Sequence, residues 1–591
     1  MDIVFVNSIN FVQQIESLNS GTLILAKILK DKEFDSKVID FDALLYNGNF
    51  ELGKDIHETL SKMAKYILKY NPKIVSFYTM CNSYPFTIKL AEELKKYNSS
   101  VKILLGGPQA TLTARETLQA FESIDAIGIG EGEETIVPIV NNLLNSLPLS
   151  ELRGVAYRIG NRIGINETAI SHNLDELPII NLDLMDPKVI PEKINIDVGR
   201  GCPFGCTFCS TSLFWKRKYR LKSIERIIDE IKLLKVNYGI SMFSFTHDMF
   251  TMNKDTIMNF CEILSNEKLN ISWSCSARVD TLDEDLILSM KNAGCKSIFL
   301  GIETGSDKIQ KRIKKNINLK KALDTIKILK KHNIDMAISL IYGFFDETYE
   351  DIQDTLNFIL KLLKLKIKTI QLHRLIIMPG TEEYELLKNK MYIDNENINL
   401  PILEGQYSEE LFPLVKKHKD IFMNFYEYST DIRDSFKGID VFVSMISILY
   451  NNFNLTFELL LRRFDSSLDK IFIKNKNIIS EFKKDLEAVS KENGKNMNLI
   501  VQLLYKTFSL IVERALSEES KTSLDIFKFE KDKYEFINNS NEFEYRASYT
   551  CDVLSMYKNN NMDLSNTKAI EVLFMRKDNG KIAIKMLNEI S

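Results

Sequence analysis

Over the first 143 residues, short apolar runs alternate with longer amphipathic stretches. Met1–Asn7, Lys37–Phe41, Lys73–Tyr78, Val101–Gly106 and Ile124–Ile129 have the length and apolar content of buried strands. Ser20–Asp31, Ile56–Tyr70 and Pro85–Tyr97 carry the helical period between them. The alternation predicts an open, doubly wound parallel α/β sheet. Ligands of such sheets lie outside the carboxyl ends of the strands. Two of those ends, Gly106-Gly107-Pro108 and Gly128 to Gly132, are glycine-rich and mark the expected ligand edge.

Residues 144–190 read as a connector. It holds a hairpin over Gly154–Ile165, turning at Gly160-Asn161, and then a proline-punctuated extended stretch. The rhythm restarts at Ile194. Strands are expected near 194–198, 241–246, 271–276, 297–301, 335–341 and 368–377, with helices near 222–236, 254–266, 282–293, 318–332 and 347–364. These six units fill residues 191–390 and predict a parallel barrel, whose chemistry sits at the carboxyl ends of its strands.

Residues 391–591 lose the alternation and read as a mostly helical region that covers the barrel mouth and helps choose the substrate. Ile439–Arg463 and Asn498–Ser517 are expected amphipathic helices, with a charged helix over Asn475–Asn493. Strand-like runs occur at Phe543–Tyr549, Ala569–Phe574 and Lys581–Met586.

Composition narrows the class. Of 591 residues, 45% are hydrophobic and 27% charged, the balance of a soluble globular protein of three or four domains. The net charge of −3 offers no basic field for nucleic acid. No apolar run is long enough to span a bilayer. Eight cysteines in a chain of this length, with no secretory signal at its start, suit a reducing cytoplasm. Cys81, Cys261, Cys275, Cys295 and Cys551 are scattered and read as small core residues.

The other three cysteines are grouped. Gly-Arg-Gly-Cys202-Pro-Phe-Gly-Cys206-Thr-Phe-Cys209-Ser follows the first barrel strand directly, where a parallel barrel places its chemistry. Three thiolates on one tight loop hold three irons of a four-iron cluster and leave the fourth open. Gly199, Gly201 and Gly205 let the backbone approach the sulfurs. A structural zinc site is the competing reading. It wants a fourth Cys or His close by, and the nearest following histidine is His247 in another segment.

This C-x3-C-x2-C loop resembles the signature of the radical S-adenosylmethionine (SAM) superfamily. The resemblance implies a partial (β/α)6 barrel, a 4Fe–4S cluster on Cys202, Cys206 and Cys209, and SAM on the open iron. Motifs follow the later strands in the order this family uses: Thr246-His247-Asp248-Met249-Phe250, Ser274-Cys275-Ser276-Ala277-Arg278, Leu300-Gly301-Ile302-Glu303-Thr304-Gly305 and Met378-Pro379-Gly380-Thr381. After the fifth strand stands Gly343-Phe344-Phe345-Asp346-Glu347-Thr348, where relatives often have Gly-Phe-Pro-Gly-Glu-Thr. The implied SAM contacts are Phe208, Ser276, Arg278, Gly301, Glu303, Gly343 and Pro379. Arg278 suits the methionyl carboxylate and Glu303 the ribose or ammonium. The glycines admit the adenine or ribose without a side chain in the way. His247 reads as a rim histidine with satisfied nitrogens or as a proton relay. Phe214 to Arg220 is either a basic–aromatic lip near the cluster or a solvated helix lead-in.

The first 143 residues resemble the cobalamin-binding domain that precedes many radical SAM enzymes. Ser76-Phe77-Tyr78, Gly106-Gly107-Pro108-Gln109-Ala110-Thr111 and Gly130-Glu131-Gly132-Glu133-Glu134 carry that resemblance. It implies base-off cobalamin near Ser76, Thr79, Gly106, Gly107, Gln109, Gly130 and Glu131. The Asp-x-His-x-x-Gly motif that supplies a histidine to cobalt is absent. The first loop reads Asn7-Ser8-Ile9-Asn10-Phe11. A flavodoxin-like domain without cobalamin is the alternative.

Together the resemblances imply a cobalamin-dependent methyltransferase. It would act on an unactivated carbon of a small-molecule, natural-product or peptide substrate through a 5′-deoxyadenosyl radical, with a flavodoxin- or ferredoxin-type electron donor and with no nucleic-acid or membrane partner. A rearrangement or cyclisation without methyl transfer is the rival within the family. A non-catalytic iron–sulfur or cobalamin sensor is the rival outside it.

Overall fold

Every position of β1 (Ile3–Val6) is buried, as a strand covered on both faces must be. The computed structural model describes residues 1–7, 9–10, 18–168, 170–171, 173–393, 408–493, 497–516, 521–538, 544–559, 568–576 and 582–590. Ser8 and Phe11 of the first loop, and Phe543 and Lys581 of two expected strands, lie outside these residues. The chain forms two compact units: residues 1–303, 307–336 and 375–430, and residues 304–306, 337–374 and 431–591.

In the first unit, β1, β2 (Ser36–Ile39), β3 (Ile74–Tyr78), β4 (Lys102–Gly106) and β5 (Ala126–Gly128) form a parallel sheet in the order β2-β1-β3-β4-β5. The order reverses between β1 and β3, which is the switch point where such sheets take ligands. Side chains cap the intervening helices at their first turns, Asn19 before Ser20–Asp31 and Asp55 before Ile56–Leu68. The expected hairpin forms as β6 (Val155–Ile159) and β7 (Arg162–Ile165), but it belongs to this sheet and not to a free connector. Ile127 pairs with Ala156 antiparallel, so the backbone edge of β5 is covered.

The same unit holds β8 (Lys193–Asp197), β11 (Met242–Thr246), β12 (Ser272–Ala277) and β13 (Cys295–Glu303), parallel and adjacent in that order. Between β8 and β11, the two-residue strands β9 (Gly199–Arg200) and β10 (Arg220–Leu221) pair antiparallel. Residues 408–430 also belong here. Gln109 Nε2 donates to the Ile421 carbonyl at 2.8 Å, and Phe422 packs against Tyr84 and Phe121.

In the second unit, β14 (Asp335–Tyr342) and β15 (Thr369–Arg374) pair in parallel and are joined by the helix Tyr349–Lys364, which starts with a capping box between Thr348 and Asp351. In sequence order they are the fifth and sixth β/α repeats counted from β8. The expected helix Ile439–Arg463 is two helices, Ile439–Leu449 and Asn454–Arg463. Buried Glu530 explains the break. It accepts from the Leu455 and Thr456 amides at 3.2 and 2.9 Å, supplying the acceptors a new helix start requires. Further along the chain lies an antiparallel sheet, β16 (Glu544–Tyr549), β17 (Ala569–Arg576) and β18 (Ile582–Ile590).

Candidate functional site

The loop carrying Cys202, Cys206 and Cys209 is closed at its base by the ladder of β9 and β10, where Arg200 pairs with Arg220. Gly201 has φ +87°, and a Cβ there would stand 1.8 Å from the Lys218 carbonyl oxygen, so only glycine fits. Thr207, between two of the cysteines, is held on three sides. Its N–H donates to Ile313 O at 3.2 Å, its carbonyl accepts from Glu383 N–H at 3.3 Å, and its hydroxyl donates to Glu383 Oε1 at 2.8 Å. Arg312 pairs with the same buried carboxylate. Phe208 is half-buried in this pinned stretch.

All three thiols are half-buried and free of disulfides. Burial pushes the Cys202 and Cys206 thiols up. The Lys315 and Arg278 cations oppose this at Cys206. Among the described residues, no three His, Cys, Asp or Glu side chains form a group that could hold a single metal ion. Three free thiols on one loop suit a cluster, because a cubane receives each thiolate on a different iron.

Arg278 follows β12 and lies over the Phe204 ring of the cysteine loop, 4.0 Å from its centre. Its Nε and Nη2 donate to Asp280, and Nη2 also donates to the Lys315 carbonyl. Nη1 is buried with no partner, as a guanidinium awaiting an anionic ligand would be. Glu303 ends β13 at φ +70°, a strained backbone for a non-glycine residue. Its Oε1 accepts from Lys315 Nζ at 2.8 Å. A Cβ on Gly301 would come 2.3 Å from that oxygen, so glycine at 301 makes room for the Glu303 carboxylate. Lys315 therefore connects two expected SAM residues. Sequence reasoning missed it because it lies in a turn beyond β13, with no motif of its own. Ser276 is half-buried within β12. Pro379 is buried beside Gly380 and Thr381, which caps the helix Glu382–Leu387.

Gly343 lies in the second unit at φ +86°, where a Cβ would meet Arg433 Cγ at 2.7 Å. Its N–H donates to Glu347, whose carboxyl is pushed up to about 8 by burial. His247 is a satisfied rim histidine. Nδ1 accepts from Met249 N–H at 2.8 Å and Nε2–H donates to the Arg220 carbonyl at 3.2 Å.

The residues expected around cobalamin divide into two groups. Gly106 ends β4, and the space a Cβ would enter there is empty to 4 Å. Ser76 is buried in β3, next to the switch point. The others have partners within the protein. Thr79 N–H and hydroxyl both donate to the Gly106 carbonyl at 2.8 Å, and its hydroxyl accepts from Ala110 N–H. Gly107 has φ +98°, and a Cβ there would stand 2.8 Å from Thr79 O, so the packing of the protein itself requires glycine. Gln109 is occupied by Ile421, and Gly130 N–H donates to Thr111 at 3.2 Å. Glu131 is saturated. It accepts from Ser171 N–H at 3.0 Å, from Arg200 at 2.9 Å and from Arg220 at 3.0 Å. Three further polar residues, Asn7 after β1, Asp40 after β2 and Thr22 in the first turn of the helix Ser20–Asp31, are hydrogen-bonded together. Asn7 Nδ2 donates to Asp40 at 2.7 Å, and Thr22 donates to Asn7 Oδ1 at 2.6 Å.

A parallel sheet with an open carboxyl edge, followed by parallel β/α units with a three-thiol loop on the first, defines a two-cofactor enzyme class. Comparison with known proteins agrees. The Radical SAM superfamily model matches residues 196–359, and the B12 binding domain model matches residues 16–140. An uncharacterized methyltransferase of Pyrococcus horikoshii is 33% identical over 383 residues, which cover 64% of this chain and 80% of the relative. An anaerobic magnesium-protoporphyrin IX monomethyl ester cyclase of Rubrivivax gelatinosus is 27% identical over 46% of this chain and 50% of its own. The solved structure of the cobalamin-dependent SAM radical enzyme OxsB with aqua-cobalamin superposes with a TM-score of 0.56 at 17% identity, covering 88% of this chain and 80% of OxsB. The chain belongs to the radical SAM superfamily and carries a B12 binding domain. It is an enzyme whose cofactors are a 4Fe–4S cluster, SAM and cobalamin. Among the described residues, no helix is long and apolar enough to cross a membrane.

Proposed function

We propose that this enzyme transfers a methyl group from SAM to an unactivated carbon of a small-molecule or peptide substrate. The observation that carries the site reading is Arg278. It stands over the cysteine loop with one nitrogen buried and unpartnered, where the carboxylate of a SAM held on the cluster would complete it. The name of the Pyrococcus relative supports methyl transfer as the outcome. In this reading Cys202, Cys206 and Cys209 hold the cluster. Arg278 orients the amino-acid end of SAM, and Glu303, fixed by Lys315, accepts from its ribose or ammonium. The open space beside Gly106 takes part of cobalamin. Bound there, cobalamin would supply methyl-group chemistry. The chain's own work is to hold the cofactors and exclude water.

Anaerobic reconstitution with SAM deuterated at its methyl group tests the proposal. Methyl transfer yields S-adenosylhomocysteine and 5′-deoxyadenosine together, with label in the product. The Rubrivivax relative is named a cyclase, which favours ring formation as the second reading. Then 5′-deoxyadenosine forms with no S-adenosylhomocysteine and no label in the product.

A further inference from the structure

Arg200 and Arg220 stand directly opposite each other in the antiparallel ladder of β9 and β10, at the base of the cysteine loop. Like charges placed so destabilise a strand pair. Here both side chains are largely buried, and one carboxylate from the neighbouring sheet lies between them. Glu131 belongs to the loop that follows β5. Its Oε2 accepts from Arg200 Nη1 at 2.9 Å and from Arg220 Nη1 at 3.0 Å, and its Oε1 accepts from Arg220 Nη2. Glu133 of the same loop accepts from Arg200 Nη2 at 2.6 Å. Asp197, which ends β8, accepts from Arg200 Nε at 2.9 Å and Nη2 at 2.7 Å. The Trp215 ring lies beside both guanidiniums, each 5.8 Å from its centre.

The loop that supplies Glu131 is tied in turn to the end of β4. Gly130 N–H donates to Thr111 Oγ1 at 3.2 Å, and Thr111 lies in the helix Pro108–Leu112, directly after Gly106 and Gly107. At the other end of the network, Arg200 stands two residues before Cys202. A continuous line of hydrogen bonds and short backbone stretches therefore runs from the cobalamin edge to the first cysteine of the cluster loop. Burying so many charges is costly, because each gives up its water, and apolar residues would close the same join at less cost. What the ions add is direction. A guanidinium that meets a carboxylate through two nitrogens has a fixed orientation.

Under the methyl-transfer reading, one substrate carbon must reach both cofactors, so the loops that hold them must keep a close and constant separation. We infer that Glu131 is a positioning residue, which holds Arg200 and Arg220 together and so sets the cysteine loop at a fixed distance from the cobalamin edge. The inference rests on that reading. It gives Glu131 a role other than contact with cobalamin, and it makes the base of the cysteine loop incomplete without the first sheet.

The test uses the holoenzyme reconstituted with cluster and cobalamin, poised so that the reduced cluster and cob(II)alamin are both paramagnetic. Their spin–spin coupling falls steeply with separation and is read from the electron paramagnetic resonance spectrum. The wild type should show one resolved coupling. Glu131→Gln keeps the shape of the side chain but holds the arginines more weakly. It should lose that resolution while iron content and cobalamin uptake stay at the wild-type level. Arg220→Lys keeps the charge but cannot span both Glu131 oxygens. It should broaden the coupling less, and it decides the matter if Glu131→Gln does not fold. Glu133→Gln leaves both arginines on Glu131 and should keep the wild-type spectrum. Unchanged coupling in Glu131→Gln and Arg220→Lys overturns the inference and leaves the network a support of the fold. So does the absence of coupling in a wild type loaded with both cofactors. Loss of cobalamin uptake from Glu131→Gln with the cluster intact also overturns it, by making Glu131 a cobalamin contact. Transfer of the labelled methyl group by the wild type reports on the underlying reading separately.

Discussion

Thr207 donates its hydroxyl to Glu383 Oε1 at 2.8 Å, and so ties the middle of the cysteine loop to a residue 176 positions further along the chain. The same buried carboxylate neutralises Arg312. Glu383→Ala should leave Arg312 facing an uncompensated site and cost about 3–5 kcal/mol. Glu383→Gln keeps an acceptor for Thr207 and should cost about 1–3 kcal/mol. Denaturant unfolding of the two variants checks the order, and the iron content after reconstitution should fall in the same order.

Replacing Cys202, Cys206 or Cys209 singly by Ala should abolish 5′-deoxyadenosine formation and the cluster's absorbance. The thiols are only half-buried, so unfolding of the metal-free protein should move by less than about 1 kcal/mol. Nucleoside formation persisting in the triple variant would refute the assignment.

Arg278→Ala and Glu303→Gln should each weaken SAM binding by roughly 1.5–3 kcal/mol, the worth of one charge-assisted hydrogen bond. Arg278→Lys should not rescue it, because an ammonium cannot keep the Asp280 pair and also present a second donor in plane. Equilibrium binding to the cluster-loaded enzyme decides this. Unchanged affinity in both variants would remove these residues from the SAM site.

Gly106 and Gly107 should part company. Gly106→Val enters empty space, so it should leave stability within about 1 kcal/mol while blocking cobalamin. Gly107→Val meets the Thr79 backbone at φ +98°, so it should destabilise by about 1–3 kcal/mol or more. Thermal unfolding of the ligand-free variants and the optical spectrum with added cobalamin separate the two effects.

Burial lowers the pKa of His247 from 6.5 to about 4. In the window between these values the unfolded chain binds a proton that the folded chain does not. The histidine's contribution is therefore complete above pH 6.5 and is lost as pH falls towards 4, by up to about 3 kcal/mol. His247→Gln should flatten the stability profile over that window relative to the wild type. Parallel profiles would show that His247 titrates normally.

The sequence by itself determined the repeating architecture and the cysteine loop. Apolar runs such as Ile3–Val6 can satisfy burial on both faces only as parallel strands between helices. Cys202, Cys206 and Cys209 are close in sequence, so spacing alone puts them on one loop. Arg278 and Glu303 were singled out because each lies within two residues of the end of a predicted strand. Only the tertiary structure decided what surrounds them. Thr207 with Glu383, Glu131 with Arg200 and Arg220, and Glu303 with Lys315 are pairings of distant or motif-free residues, and charge complementarity has no periodic signature along a chain. The same reason hides the internal partners of the ligand-edge residues. Glycine at 107 and glycine at 106 look alike in sequence, but the direction of a missing Cβ is set by the packed neighbours. Glu131 and Gln109 sit in a ligand-edge motif, yet their side chains are already committed to Arg200, Arg220, Ser171 and Ile421 once the chain has folded.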